Sequence, residues 1–298
     1  MLPRDCVAAV RTPYRQDVSS DATTMPPSGD ATPRSTPDLR IVALVGIAAG
    51  ALGGLFGVGG GLIIVPGLVL VVKLERRLAN GTSLAATLPI ALASLSTYLY
   101  NGNVDWAVAG FLACGTIVGA IIGTKLLTIL PKRTITIVFI VTVLATAARL
   151  FTTADTAGRD NATIYTGLLL VVIGLATGTL SGLLGIGGGV VMVPAMVVGL
   201  DMVPVIAKGT SVAVIVPTSI MGTIRNRKTA YVDLKVATVA GLSGAVTAVM
   251  GGMVADSIST SLSNIMFAFL LLFVAGTQFI TLRSDRRADL AAAAVDVG

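Results

Sequence analysis

The chain has 298 residues, 54% of them hydrophobic and only 12% charged, with a formal net charge of +6 and a mean hydropathy of +0.89. That charge fraction is about half of what a soluble domain carries, too little to clothe a water-soluble core, which excludes a soluble multi-domain enzyme and a disordered chain. Histidine is absent and Cys6 stands far from Cys114, so neither a disulfide framework nor a metal cluster is expected, and no cofactor motif is present. The composition is that of an integral membrane protein lying in a lipid bilayer.

Residues 1–40 hold half of the prolines, balance their charges and lack an apolar h-region, so they read as a disordered cytoplasmic tail and not a secretory signal. An apolar stretch over 41–72 follows, broken at Gly57-Val-Gly-Gly-Gly61. Its second arm, Leu62–Val72, is too short to cross a bilayer alone, because a span needs about 20 apolar residues. Spans are predicted over 83–100, 107–129 and 134–150, closing a first membrane repeat at 41–150. An inter-repeat loop at 151–163 leads to a second broken stretch, 164–200, interrupted at Gly185-Ile-Gly-Gly-Gly189. Spans over 209–224, 233–255 and 261–281 complete a second repeat at 164–281, and 282–298 reads as a cytoplasmic C-terminal tail.

The two halves are copies of one unit. Gly54-Leu-Phe-Gly-Val-Gly-Gly-Gly-Leu-Ile-Ile-Val-Pro66 aligns without gaps on Gly182-Leu-Leu-Gly-Ile-Gly-Gly-Gly-Val-Val-Met-Val-Pro194, an offset of 128. The register holds downstream, pairing Gly81-Thr82-Ser83 with Gly209-Thr210-Ser211, Pro89 with Pro217, Val104-Asp105 with Val232-Asp233, and Gly123 with Gly251. Basic residues decide between two topologies. If each broken stretch crosses once, the copies run parallel and Lys73, Arg76, Arg77, Lys132, Arg133 and Lys208 lie outside. If each stretch enters and returns, the copies are inverted, and nearly all loop basics face the cytoplasm, including Arg225, Arg227, Lys228, Arg283, Arg286 and Arg287. Only Arg159 and Lys208 then remain in outer loops, with Arg149 near an outer helix end. The positive-inside rule selects the second arrangement. The expected fold is therefore all-α and polytopic: two homologous repeats, each a glycine-broken re-entrant hairpin plus three spanning helices, inverted in the membrane, with both termini cytoplasmic.

The glycine runs fail the dinucleotide fingerprint, since Leu62 and Val190 occupy its last glycine position and the flanking strand and the acidic residue about 20 positions on are missing. Irregular backbone at bilayer depth needs protein or a watery cavity around it, and each new half-helix points unpaired N–H groups and its positive dipole end at the turn. Two such ends related by a pseudo-two-fold axis suit a small anion; the plainer reading is tight packing of a hairpin tip. Candidate substrate-binding residues are Gly57, Gly59, Gly60, Gly61, Thr82, Ser83, Gly185, Gly187, Gly188, Gly189, Thr210 and Ser211. The Thr and Ser hydroxyls either complete the site or cap the helices they begin. Thr87, Pro89 and Pro217 lie one to two turns further in.

Gly115, Gly119 and Gly123, with Ser243, Thr247 and Gly251 at the matching positions, form a small-residue face for close helix crossing, within the monomer or in a homodimer. Asp105 and Asp233 fall at membrane boundaries, and Trp106 suits an interfacial anchor. Basic clusters without aromatic interleaving argue against nucleic acid. With no His base, and with two aspartates on opposite faces, no catalytic site is expected and the chain is not read as an enzyme. No P-loop is present for direct ATP drive.

Two copies of G-x-x-G-[VI]-G-G-G-x-x-x-V-P, each followed by G-T-S, with Gly102-Asn-Val-Asp-Trp106, resemble the sulfite exporter TauE/SafE family of membrane permeases over about residues 41–281. The resemblance implies a plasma-membrane permease for sulfite, an organosulfonate or another small sulfur-containing anion. An anion channel of the same architecture and a membrane scaffold or assembly protein are the alternatives. Arg225-Asn-Arg-Lys228 reads as loop charge, and no residue visibly selects sulfur over another anion centre.

Overall fold

The computed structural model describes residues 38–152, 164–200, 202–228, 231–255 and 257–295. The predicted tail up to residue 37 and the inter-repeat loop over 153–163 lie outside them. Helices α1 (Leu39–Phe56) and α2 (Gly61–Pro66, continued by a π-helical turn Gly67–Val71) make the first hairpin. They are followed by α3 (Arg76–Tyr100), α4 (Trp106–Ile129) and α5 (Lys132–Thr152). The second half repeats the order with α6 (Ile164–Leu184), α7 (Gly189–Leu200), α8 (Pro204–Lys228), α9 (Leu234–Ala255) and α10 (Thr260–Val295). Among the described residues seven helices, α1, α3, α4, α6, α8, α9 and α10, are long and apolar enough to cross a bilayer. Outward-facing side chains such as Leu44, Phe111, Val118, Val246, Phe269 and Phe273 are themselves apolar, as a lipid-facing surface requires.

The halves interlock. The most extensive pairings are α4 with α6 and α1 with α9, so the first arm of each hairpin packs on a span of the other half. Small residues make this possible. A Cβ added to Gly46, Gly50 or Gly54 would meet the backbone of Ala240, Gly244 or Ala248; Gly115, Gly119 and Gly123 lie equally close to Val171, Leu175 and Thr179. Thr247 Oγ1 donates to Ile47 O at 2.8 Å and Ser243 Oγ to Ala43 O at 3.1 Å, so the polar members of the face also bridge helices. The small-residue faces are thus occupied within the chain. At Gly50 the added Cβ would sit 1.9 Å from Gly244 O, whereas at Gly110 it would meet nothing within 4 Å. Gly50→Val should therefore destabilise the detergent-solubilised protein by at least about 1–3 kcal/mol, the usual cost of overpacking. Gly110→Ala in the same assay should be neutral or stabilise by about 0.5–1 kcal/mol, the helix penalty of glycine.

Contact levels also fix directions. Residue numbers rise together where α1 meets α9 and where α4 meets α6, so both pairs are parallel. The repeat mates α3 and α8 are antiparallel: Gly81, early in α3, abuts Tyr231 O and Asn226 Cβ beyond and at the end of α8, while Gly209 abuts Asn103 O and Tyr98 Cβ. Within the first hairpin Gly60 lies against Ala49 O and Gly67 against Val45, so α2 turns back along α1. Hence α1, α3 and α9 begin at one face, and α4 and α8 begin at the other. Asp105 and Asp233 cap α4 and α9. The Asp105 carboxylate accepts the Ala107 and Val108 N–H groups at 3.0 Å, and Asp233 accepts those of Lys235 and Val236 at 3.0 and 3.1 Å.

Three expectations need correction. Gly81-Thr82-Ser83 and Gly209-Thr210-Ser211 do not begin their helices, because α3 starts at Arg76 and α8 at Pro204. Lys208 is not in an outer loop: it lies in α8 and is 5% exposed. Arg225–Lys228 forms the last turn of α8, with Asn226 buried, instead of a charged loop. All three arise from polar side chains that lower local hydropathy although the helix encloses them. Beyond Thr281, α10 continues to Val295.

Candidate functional site at the crossing of two glycine turns

Both turns have one conformation. Gly57, Gly59 and Gly60 take φ of 69°, 75° and 83°, and their mates Gly185, Gly187 and Gly188 take 74°, 77° and 86°. These left-handed values favour glycine, and the sequence supplies it at each of the six positions. Gly57 closes α1, donating its N–H to Gly53 O, and Gly185 closes α6, donating to Ser181 O at 2.8 Å. Gly60 and Gly188 then open α2 and α7, accepting from Ile63 and Ile64 and from Val191 and Met192.

The turns meet face to face. A Cβ on Gly61 would lie 2.7 Å from Ile186 Cα, and one on Gly189 2.7 Å from Val58 Cα. At the crossing Gly59 and Gly187 share the same neighbours, the Cγ2 methyls of Thr87 and Ile215, themselves repeat mates on α3 and α8. Residues 57–61 and 185–189 are all buried, so the crossing is closed in this conformation. The start of α2 thus abuts the second turn and the start of α7 the first, and the first N–H groups of a helix have no intrahelical acceptor.

The hydroxyls divide into two sets. Ser83 Oγ donates to Gly185 O at 2.8 Å, tying α3 to the second turn. Ser211, its mate, is fully buried and its Oγ has no partner; the same holds for Thr87 Oγ1 and for Ser181 Oγ beside Gly188. Thr82 and Thr210 are engaged elsewhere. Thr82 Oγ1 accepts the Asp233 N–H at 2.9 Å and Thr210 Oγ1 accepts that of Asp105 at 3.0 Å, so each stitches its helix to the start of a span in the other half. The eight turn glycines and Ser83 are thus gathered at the crossing; Ser211 lies on α8 one turn beyond Lys208, whose backbone touches Gly57, and the two threonines serve the junctions next to it.

The sequence profile of the family described as "Sulfite exporter TauE/SafE" matches residues 9–150, 42–203 and 169–296. The chain belongs to the TauE/SafE sulfite exporter family. Separate matches to each half agree with the internal duplication. Similar proteins include the probable membrane transporter protein YunE of Bacillus subtilis (strain 168), 27% identical over 217 residues covering 65% of this chain and 80% of that protein. A probable membrane transporter protein of Xylella fastidiosa (strain 9a5c) is 27% identical over 247 residues, covering 81% and 92% of the two chains. YdhB of B. subtilis, another probable membrane transporter protein, is 35% identical over 89 residues, which cover 30% of this chain and 36% of that protein. The chain is a multi-pass membrane transporter, not an enzyme.

Reading the sequence alone misses several polar residues of this TauE/SafE protein that flank the crossing. Gly185 packs on the backbone of Asn80 and Gly57 on that of Lys208, the repeat mate of Asn80. Arg76 is also buried, one helical turn before Asn80. The register offers a partial signal: an offset of 128 pairs Lys208 with Asn80, so the two belong to one structural position, although both precede the spans predicted over 83–100 and 209–224.

Proposed function

We propose that the chain is a secondary carrier for a small sulfur-containing anion, sulfite or an organosulfonate, bound between the N-termini of α2 and α7. The carrying observation is the meeting of the two glycine turns at Thr87 and Ile215, with the Thr87 hydroxyl unpartnered there and the Ser211 hydroxyl unpartnered one turn along α8 from Lys208, which touches Gly57. Converging N–H groups and dipole ends favour a negative charge, and orphan buried hydroxyls favour an oxygen-rich one. Gly57, Gly59, Gly60, Gly61, Gly185, Gly187, Gly188, Gly189, Ser83 and Ser211 form the site, with Thr82 and Thr210 as its outer support. Because the crossing is closed, access to either side requires the interlocked halves to rearrange, which is alternating access about a fixed site.

The face where α3 and α9 begin is the cytoplasmic one in this reading. Lys73, Arg76, Arg77, Arg133, Arg225, Arg227 and Lys228 belong there, and Arg77 Nη2 donates to Leu130 O at 3.3 Å across that end. Single cysteines at Glu75 and Pro131 (with Cys6 and Cys114 replaced) should label only from the cytoplasm, and one at Tyr100 only from outside. The reverse pattern overturns the orientation.

Uptake into proteoliposomes tests the function, comparing sulfite, an organosulfonate, sulfate and chloride with and without a pH gradient. Saturable flux with counterflow of a sulfur anion is the expected result. Non-saturating flux identifies a channel, and no flux of a sulfur anion removes the substrate assignment.

A further inference from the structure

Among the described residues two cations are enclosed within the helices, one in each half: Arg76 at 9% exposure and Lys208 at 5%. A charge at such a place is costly in a bilayer and marks a pathway or a partner more often than a fold requirement. The two are related by the pseudo-symmetry in an uneven way. Lys208 is the repeat mate of Asn80, and Arg76 lies four residues before Asn80 on the same side of α3. Each reaches the beginning of its half's last helix: Arg76 Nη1 donates to Thr136 Oγ1 on α5, and Lys208 Nζ donates to Ser263 Oγ on α10 at 2.7 Å. Since α3 and α8 are antiparallel, these junctions lie toward opposite faces, with the glycine crossing between them.

Further polar groups, donors and acceptors, surround Arg76. It lines a small cavity together with Asn80, Thr136 and Gln278. Gln278 is 4% exposed with its Nε2 unpartnered; Asn80 is 2% exposed, giving its Nδ2–H to Leu183 O at 3.1 Å while its Oδ1 has no partner. Leu183 and Leu184 lead directly into the Gly185 turn, so the cavity adjoins one side of the crossing. On the other side, the Lys208 backbone touches Gly57. The cavity measures about 10 Å³, room for one water molecule, so an oxyanion enters it only when the lining helices part.

We infer that Arg76 and Lys208 are a sided pair of docking cations for a small oxyanion: Arg76 with Thr136 and Gln278 receives it at the face where α3 begins, and Lys208 with Ser263 receives it at the opposite face. The inference rests on the carrier reading above and adds to it the groups that attract the anion before and after the crossing. Arginine offers a planar fork for two oxygens and lysine a compact charge, so the two faces hold the same anion with different geometry.

Two measurements test this on the full chain. The first is thermal stabilisation of the detergent-solubilised protein by sulfite and by an organosulfonate, using wild type, Arg76→Met, Lys208→Met and the charge-conserving Arg76→Lys and Lys208→Arg. The second is KM for the same anions in oriented proteoliposomes, with substrate applied to one side at a time. Each Met variant should raise KM about 10- to 100-fold from its own side, the range of a lost hydrogen bond to a charged group, and change it far less from the other side. Charge-conserving variants should recover most of the affinity. Equal changes from both sides, or lost stability at unchanged KM, would show that the cations only tie helices together and would overturn the inference. Anion stabilisation that depends on both cations without any flux would keep the docking pair and remove the carrier reading. Flux indifferent to both substitutions would do the reverse, and neither stabilisation nor flux would remove both.

Discussion

Gly57→Val and Gly185→Val should each abolish transport and destabilise the protein more than any equivalent change elsewhere in the turns. At Gly57 an added Cβ would lie 2.6 Å from Lys208 Cα, and at Gly185 2.4 Å from Asn80 O, both backbone atoms of a long helix. Nothing there is a flexible tip that could move aside. The φ values of 69° and 74° add a left-handed penalty of about 1–3 kcal/mol for a residue with a side chain, before any overlap is counted. Gly60 and Gly188 give the contrast. The Gly60 position is limited by Ala49 O at 2.9 Å, whereas Gly188 is limited by Met192 Cε at 2.7 Å, the far end of an adaptable chain. Alanine substitutions should therefore rank Gly57 and Gly185 as the most damaging, Gly60 next and Gly188 least, by thermal unfolding in detergent. A Gly185→Val protein as stable as wild type would mean that the turns do not pack on α3 and α8 as described.

That ranking marks the boundary between what the chain's letters display and what only the fold displays. Duplication, the two breaks and the all-helical class are legible because they are written in local pattern: apolar runs of span length, glycines at fixed offsets, and a register of 128 residues. Even the small-residue face on α4 is visible as Gly115, Gly119 and Gly123, since close approach of backbones leaves no alternative residue type. The partners of these features are not written locally. Nothing near Gly57 announces Lys208, and nothing near Thr82 announces the Asp233 N–H, 151 positions away. Window hydropathy also misplaced the starts of α3 and α8, because Arg76, Asn80 and Lys208 look like loop residues until the rest of the protein encloses them. A polar residue in a membrane helix lowers the hydropathy signal where function is most expected.

Thr82→Val and Thr210→Val separate support from binding. Both threonines are fully buried, and each hydroxyl accepts the N–H of an aspartate whose carboxylate caps the next span. Valine keeps the shape and removes the acceptor, leaving a part-buried amide without its protein partner at a cost of about 1 kcal/mol per site. The bonds stitch separate junctions at opposite faces, so the double variant should lose about the sum of the two. Exchange of the Asp105 and Asp233 amide hydrogens should quicken only in the variant that removes the corresponding hydroxyl. At a temperature where the protein remains folded, KM should stay within a small factor of wild type, because these hydroxyls are committed to the junctions. Ser211→Ala should behave oppositely: its Oγ has no partner to lose, so stability is retained while KM rises by about 10-fold, the value of one hydrogen bond to a charged ligand. If Thr82→Val raises KM and Ser211→Ala does not, the anion lies at the helix junctions, and the glycine crossing serves packing alone.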